Sequence, residues 1–107
     1  MKRPKIVELI KAGLSATAPN AKVILYGSEA RGDAKPESDI DLLILLDEEG
    51  SVSKKERNIK EILCDIELET NVIISSIIMP RKNWENRLFK TPFYVNVINE
   101  GIVLCTM

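Results

Sequence analysis

Asp39 and Asp41 stand one residue apart at the mouth of an apolar run, Leu42-Leu43-Ile44-Leu45-Leu46. No other feature constrains the chain so strongly. A run of this length bounded by turn residues reads as a central strand buried on both faces. Residues two apart in a strand point to the same side. Both carboxylates therefore leave one face, which Leu43 and Leu45 continue, while Ile40, Leu42, Ile44 and Leu46 form the other. Two like charges this close are unfavourable unless a cation lies between them. Hard oxygen ligands of this kind suit magnesium.

The preceding residues complement the pair. An apolar run, Val23-Ile24-Leu25-Tyr26, leads into Gly27-Ser28. Glu29-Ala30-Arg31 can open a short helix that Gly32 closes. Backbone amides at a helix start, a serine hydroxyl and a glycine that lets a ligand approach make an anion site. A phosphate cradle beside a carboxylate pair is equipment for a nucleoside triphosphate carrying magnesium.

Gly27-Ser28-x-Ala30-Arg31-Gly32 followed by Ser38-Asp39-Ile40-Asp41-Leu42 resembles the signature of the minimal nucleotidyltransferases, a family of the DNA polymerase β-like superfamily. A lone Gly-Ser or a lone Asp-x-Asp would be weak; glycines, serine and both aspartates match together. The resemblance covers most of the chain. It implies an α/β (α+β) fold: a small mixed sheet of about four strands flanked by helices, with residues 1–107 as one nucleotidyltransferase domain. It implies transfer of a nucleoside monophosphate, AMP from ATP, to a hydroxyl acceptor. Asp39 and Asp41 would be catalytic and would bind Mg2+; Gly27, Ser28, Arg31 and Ser38 would contact the nucleotide. Arg31 can instead pair with Glu29 or Asp33, and that structural pairing is the one expected.

The family carries a third carboxylate on the strand after a crossover helix. Aligning the elements puts that position at Asn71, with Glu69 two residues earlier as a substitute if the strand begins early. An amide ligates a metal weakly and cannot act as a base. A catalytically weakened nucleotide-binding or partner-binding module is therefore the alternative. The family often accompanies a helical HEPN-type toxin, as an antitoxin able to AMPylate it, which makes such a protein the expected partner. A homo-oligomer stays open. Small-molecule nucleotidylation is less well supported, since it generally needs an added helical domain.

Composition narrows the field. With no histidine and two separate cysteines, zinc sites and a Ser-His-Asp triad are excluded. A formal charge of −1 and the lack of basic runs give no dedicated nucleic-acid surface. No apolar run reaches membrane-spanning length and no signal peptide is visible, so a cytoplasmic location is expected. Cys64 and Cys105 read as buried free thiols of a reducing compartment.

Along the chain, spacing predicts a helix over 4–17 with Val7, Ile10 and Leu14 inward, and a strand over 22–26. Residues 33–38 read as loop and 40–46 as the second strand. Asp47-Glu48-Glu49-Gly50 reads as a solvated turn. A capping box at Ser53-Lys54-Lys55-Glu56 opens a helix to about Glu69, buried through Ile59, Ile62, Leu63 and Ile66. A strand is expected over 71–79, then a short helix over 82–89 with Trp84 and Leu88 inward. Thr91-Pro92 caps another helix carrying Phe93, Val97 and Ile98, with Gly101 at its end. Residues 102–105 close the sheet. Trp84, Phe93 and Tyr94 read as core or interface residues.

Overall fold

The computed structural model describes residues 2–47, 53–86 and 90–105. Four strands, β1 (Lys22–Tyr26), β2 (Ile40–Leu46), β3 (Ile74–Pro80) and β4 (Ile102–Cys105), form one sheet in the order β3-β2-β1-β4. β2 runs antiparallel to β1 and parallel to β3, and β4 is antiparallel to β1. This is the expected mixed sheet. The parallel β2–β3 pair requires a crossover, supplied by α3 (Ser53–Thr70).

β2 lies at the centre of two apolar layers. Ile40, Leu42, Ile44 and Leu46 pack with α1 (Pro4–Thr17) and α3 through Val7, Ile10, Leu14, Ile59, Leu63 and Ile66. Leu43 and Leu45 face the other way, against Ile24, Trp84 and Val97. Trp84 belongs to α4 (Arg81–Glu85) and Val97 to α5 (Pro92–Glu100). Thr91 caps α5 as expected, its hydroxyl accepting from the Tyr94 amide at 3.2 Å. Phe93 packs edge-on to both Tyr26 and Trp84.

Several expectations need correction. β3 begins at Ile74, not at Asn71, because α3 runs on to Thr70 and Asn71 takes a left-handed φ of 59° in the turn beyond it. Cys64 is exposed and Cys105 half-buried. Cys64 follows Leu63 on α3, and one step of about 100° turns it off the buried stripe. Ile62 is half-buried and Ile98 exposed for the same rotational reason. Gly101 has φ −67°, so it is no left-handed helix stop. A side chain there would strike the Val97 carbonyl and Ile24 Cγ2, so its glycine answers a close approach of α5 to β1. The turn at 48–50, the side chain of Ser53 and Leu88 lie outside the described residues.

A buried ion pair fixes the start of the chain. Glu29 lies in the single-turn helix α2 (Ser28–Arg31) and is fully buried. It accepts from the Lys2 amide at 2.6 Å, the Arg3 amide at 2.8 Å and Arg3 Nε at 2.7 Å. Burial pushes its pKa up, but the hydrogen bonds from Arg3 and Lys2 and the Arg3 charge outweigh burial and hold it below its usual 4.5. Arg3 Nη1 also donates to the Ser38 carbonyl at 2.7 Å. One arginine thus joins α1, α2 and the loop that delivers Asp39.

Removing one partner of a buried pair strands the other, so Arg3→Ala is expected to lower the unfolding free energy by about 3 kcal/mol, read from urea melts at pH 7. The lowered Glu29 pKa makes its contribution complete above pH 4.5 and lost as pH falls through the folded-state value. Wild type should therefore lose stability below that pH, and Glu29→Gln should flatten this limb. An identical acid limb in the variant contradicts the assignment.

Candidate active site

β1 ends at Tyr26, and Gly27 turns the chain with φ 78° into α2. Non-glycine residues rarely adopt that backbone. Gly32 closes α2 in the left-handed conformation, its amide bonding back to Ser28 and Glu29. Glycine at 27 has a second reason. A methyl group there would overlap Asp41 Oδ2. The turn and the carboxylate are therefore in direct apposition, with no room for a side chain between them. Sequence spacing called for the two halves of the site; the antiparallel register, which sets Tyr26 opposite Asp41, brings them together.

On the other side, the parallel register sets Ser75 opposite Asp41. Ser75 Oγ donates to Asp39 Oδ2 at 3.2 Å. So β3 offers a hydroxyl to the carboxylate pair. Asn71 stands in the turn ahead of the strand, and Glu69 belongs to the last turn of α3. The two do not share a strand face, because no strand begins early enough. Ser75 is the residue that patterning missed. Its only sequence signal was the apolar count along β3, which a shift in the strand start displaces.

Asp39 is exposed, while Asp41 is half-buried. Burial first, and then the neighbouring Asp39 charge, raise the pKa of Asp41; Arg31 pulls it down and Glu100 pushes it up. Burial and the Asp41 charge also raise the pKa of Tyr26. The pair is a set of hard oxygen donors whose mutual repulsion a divalent cation would relieve, and this fits magnesium. Among the described residues no cluster of three or more ligand-type side chains surrounds a common metal position. Water and phosphate oxygens would complete the shell, as is usual for that ion.

Arg31 bonds Asp33 through Nε at 3.2 Å. Its Nη1 reaches Glu100 at 3.1 and 3.3 Å. Asp33 is one of the two expected partners; the other, Glu29, is held by Arg3. Glu100 also accepts from the Gly27 amide at 3.2 Å. Ser28 opens α2. Ser38 is used by its own loop, its hydroxyl accepting from the Lys35 amide at 3.0 Å and its carbonyl from Arg3.

Comparison with known proteins shows the family and the fold. The nucleotidyltransferase domain family matches residues 7–104. Two candidate protein adenylyltransferases of Methanocaldococcus jannaschii are 40% identical over 81 residues and 35% over 83. The first alignment covers 76% of this chain and 75% of that protein, the second 78% and 76%. A solved candidate minimal nucleotidyltransferase superposes with a TM-score of 0.61 at 25% identity, over 95% of each chain. A toxin–antitoxin crystal structure with AMP-PNP has a TM-score of 0.61 at 16% identity, covering 100% of this chain and 75% of that one. That last likeness is one of fold.

Asp39→Asn removes one cause of the raised Asp41 pKa and leaves its burial in place. The Asp41 midpoint is expected to move down, measured by carboxyl-carbon NMR titration. A midpoint that stays or rises contradicts the electrostatic account.

Proposed function

This chain belongs to the nucleotidyltransferase domain family, in its minimal branch, and on that premise we propose that it transfers AMP from ATP to a hydroxyl of a partner protein. The observation that carries the reading is the apposition of Gly27 to the Asp41 carboxylate, with Asp39 beside it. Glycine at 27 lets the turn lie directly against Asp41, so that phosphates held by the turn and a metal held by the carboxylates would be neighbours. Ser28, through its hydroxyl and its amide, holds the β- and γ-phosphates, the Gly27 amide being taken by Glu100, and Arg31 stands at the far end of the same turn. Asp39 and Asp41 hold magnesium, which when bound offsets the triphosphate charge and favours the ionised acceptor hydroxyl. The acceptor attacks the α-phosphorus in line and pyrophosphate leaves. Residues 1–107 act as one domain, and the acceptor is presented from outside it.

The partner we propose is a helical HEPN-type toxin, with this chain as antitoxin. The support is the protein-adenylyltransferase naming of the two M. jannaschii relatives and the toxin–antitoxin fold neighbour. No helix among the described residues is long and apolar enough to cross a membrane, in keeping with a cytoplasmic pair.

A second reading rests on Ser75. The β3 position opposite Asp41 carries a hydroxyl where the family is expected to carry a carboxylate. A serine is a poor base at neutral pH. The chain would then bind nucleotide and partner but transfer slowly.

Calorimetric titration of ATP with magnesium is expected to give binding that is lost in Asp39→Ala/Asp41→Ala; no binding by wild type sinks the nucleotide site. Transfer of labelled AMP to the purified partner tests the enzyme itself. Ser75→Asp is expected to raise the transfer rate about a hundredfold, the scale of a positioned base, with ATP affinity little changed. A rate equal to wild type removes the second reading.

A further inference from the structure

We propose that Glu100 is a positioning residue for the nucleotide turn, holding Gly27 and Arg31 together from α5. The inference rests on the nucleotide reading of that turn.

Helix α2 is a single turn of four residues. A helix so short has no stability of its own, since its nucleus costs more than its few backbone hydrogen bonds return. Its geometry must be imposed from outside. Glu29 anchors its inner side on Lys2 and Arg3. Its two ends are tied by Glu100. Glu100 Oε1 accepts from the Gly27 amide at 3.2 Å and from Arg31 Nη1 at 3.1 Å. These groups are the two ends of the segment: Gly27 precedes the helix and Arg31 ends it. One carboxylate therefore bridges both ends, across 73 and 69 residues of sequence. Asp33 holds the opposite edge of the guanidinium through Nε. Two carboxylates thus share the guanidinium, one at Nε and one at Nη1.

The position of Glu100 is itself well determined. It is the last residue of α5, and Gly101 lets that helix end settle on Ile24 of β1. The Gly101 amide bonds the Val97 carbonyl at 2.8 Å, closing the helix. The Glu100 side chain is about one quarter exposed (23%) and lies outside both apolar clusters. Charge-assisted bonds of this kind are stronger than neutral ones and order flexible donors. The loss expected is of orientation at the turn, and it should appear in nucleotide affinity.

The test is calorimetric titration of magnesium and ATP into wild type, Glu100→Ala, Glu100→Gln, Arg31→Ala and the Glu100→Gln/Arg31→Ala double variant. Glu100→Ala is expected to weaken binding about tenfold. Glu100→Gln, which keeps an acceptor for the Gly27 amide, should lose less. In the Arg31→Ala background Glu100→Gln should change affinity by no more than about twofold, because the partner it orders is already gone. A purely structural role would lower the melting temperature of every Glu100 variant and show no such coupling. The proposal is overturned if Glu100→Ala binds as wild type does, or if the Glu100→Gln and Arg31→Ala losses simply multiply. Wild type that binds no ATP at all overturns the nucleotide reading as well, a result distinct from the other two.

Discussion

Strand β2 has to be dry along its length and charged at its entrance. Its residues from Leu42 to Leu46 are all buried, yet Asp41 and Asp39 precede them on the same chain. The rest of the architecture follows from that constraint. Helices α1 and α3 cover one face and α4 with α5 the other, so that both sets of branched side chains leave water. Burial of this kind is the main favourable term in folding. The cover stops short of the carboxylates, since burying an unpaired charge costs several kcal/mol. The sheet's end is left polar, and its surroundings are whatever the neighbouring strands and helix ends bring there.

What they bring is mostly backbone geometry and carboxylates. The Gly27 turn from β1, Ser75 from β3 and Glu100 from α5 converge on Asp39 and Asp41. Negative charge accumulates, and Arg31 opposes it at close range, already shared between Asp33 and Glu100. Such a concentration of negative charge disfavours a bare anion, and the proposed divalent cation would offset it. That is consistent with a nucleotidyltransferase whose substrate arrives as a metal complex. The single-turn helix α2 has no internal stability to resist this field, and two long-range carboxylates, Glu29 and Glu100, hold it instead.

Much of this was legible in one sequence. The alternation in β2, the Pro-led helices, the Thr91 cap and the Gly27–Gly32 segment are local, and each was found where its chemistry indicated. The failures were failures of boundary and partner. The branched, apolar Val72, Ile73 and Ile74 draw Asn71 into the strand that spacing predicts. In the fold, α3 claims the residues before it, and asparagine tolerates the left-handed turn that follows. A strand that starts later puts Ser75, and not Asn71, opposite Asp41. An apolar neighbourhood suggests a buried Cys64, but rotation about α3 decides its exposure.

The sequence by itself determined the periods, the breakers and the paired carboxylates, because these depend on residues a few positions apart. Tertiary structure alone decided which groups meet. Glu29 finds Lys2 and Arg3 across 27 and 26 residues, Ser75 finds Asp39 across 36, and Glu100 finds Gly27 across 73. No local pattern encodes those separations. They follow from strand register and from how closely α5 can approach β1, which are settled only when all the apolar faces are buried at once.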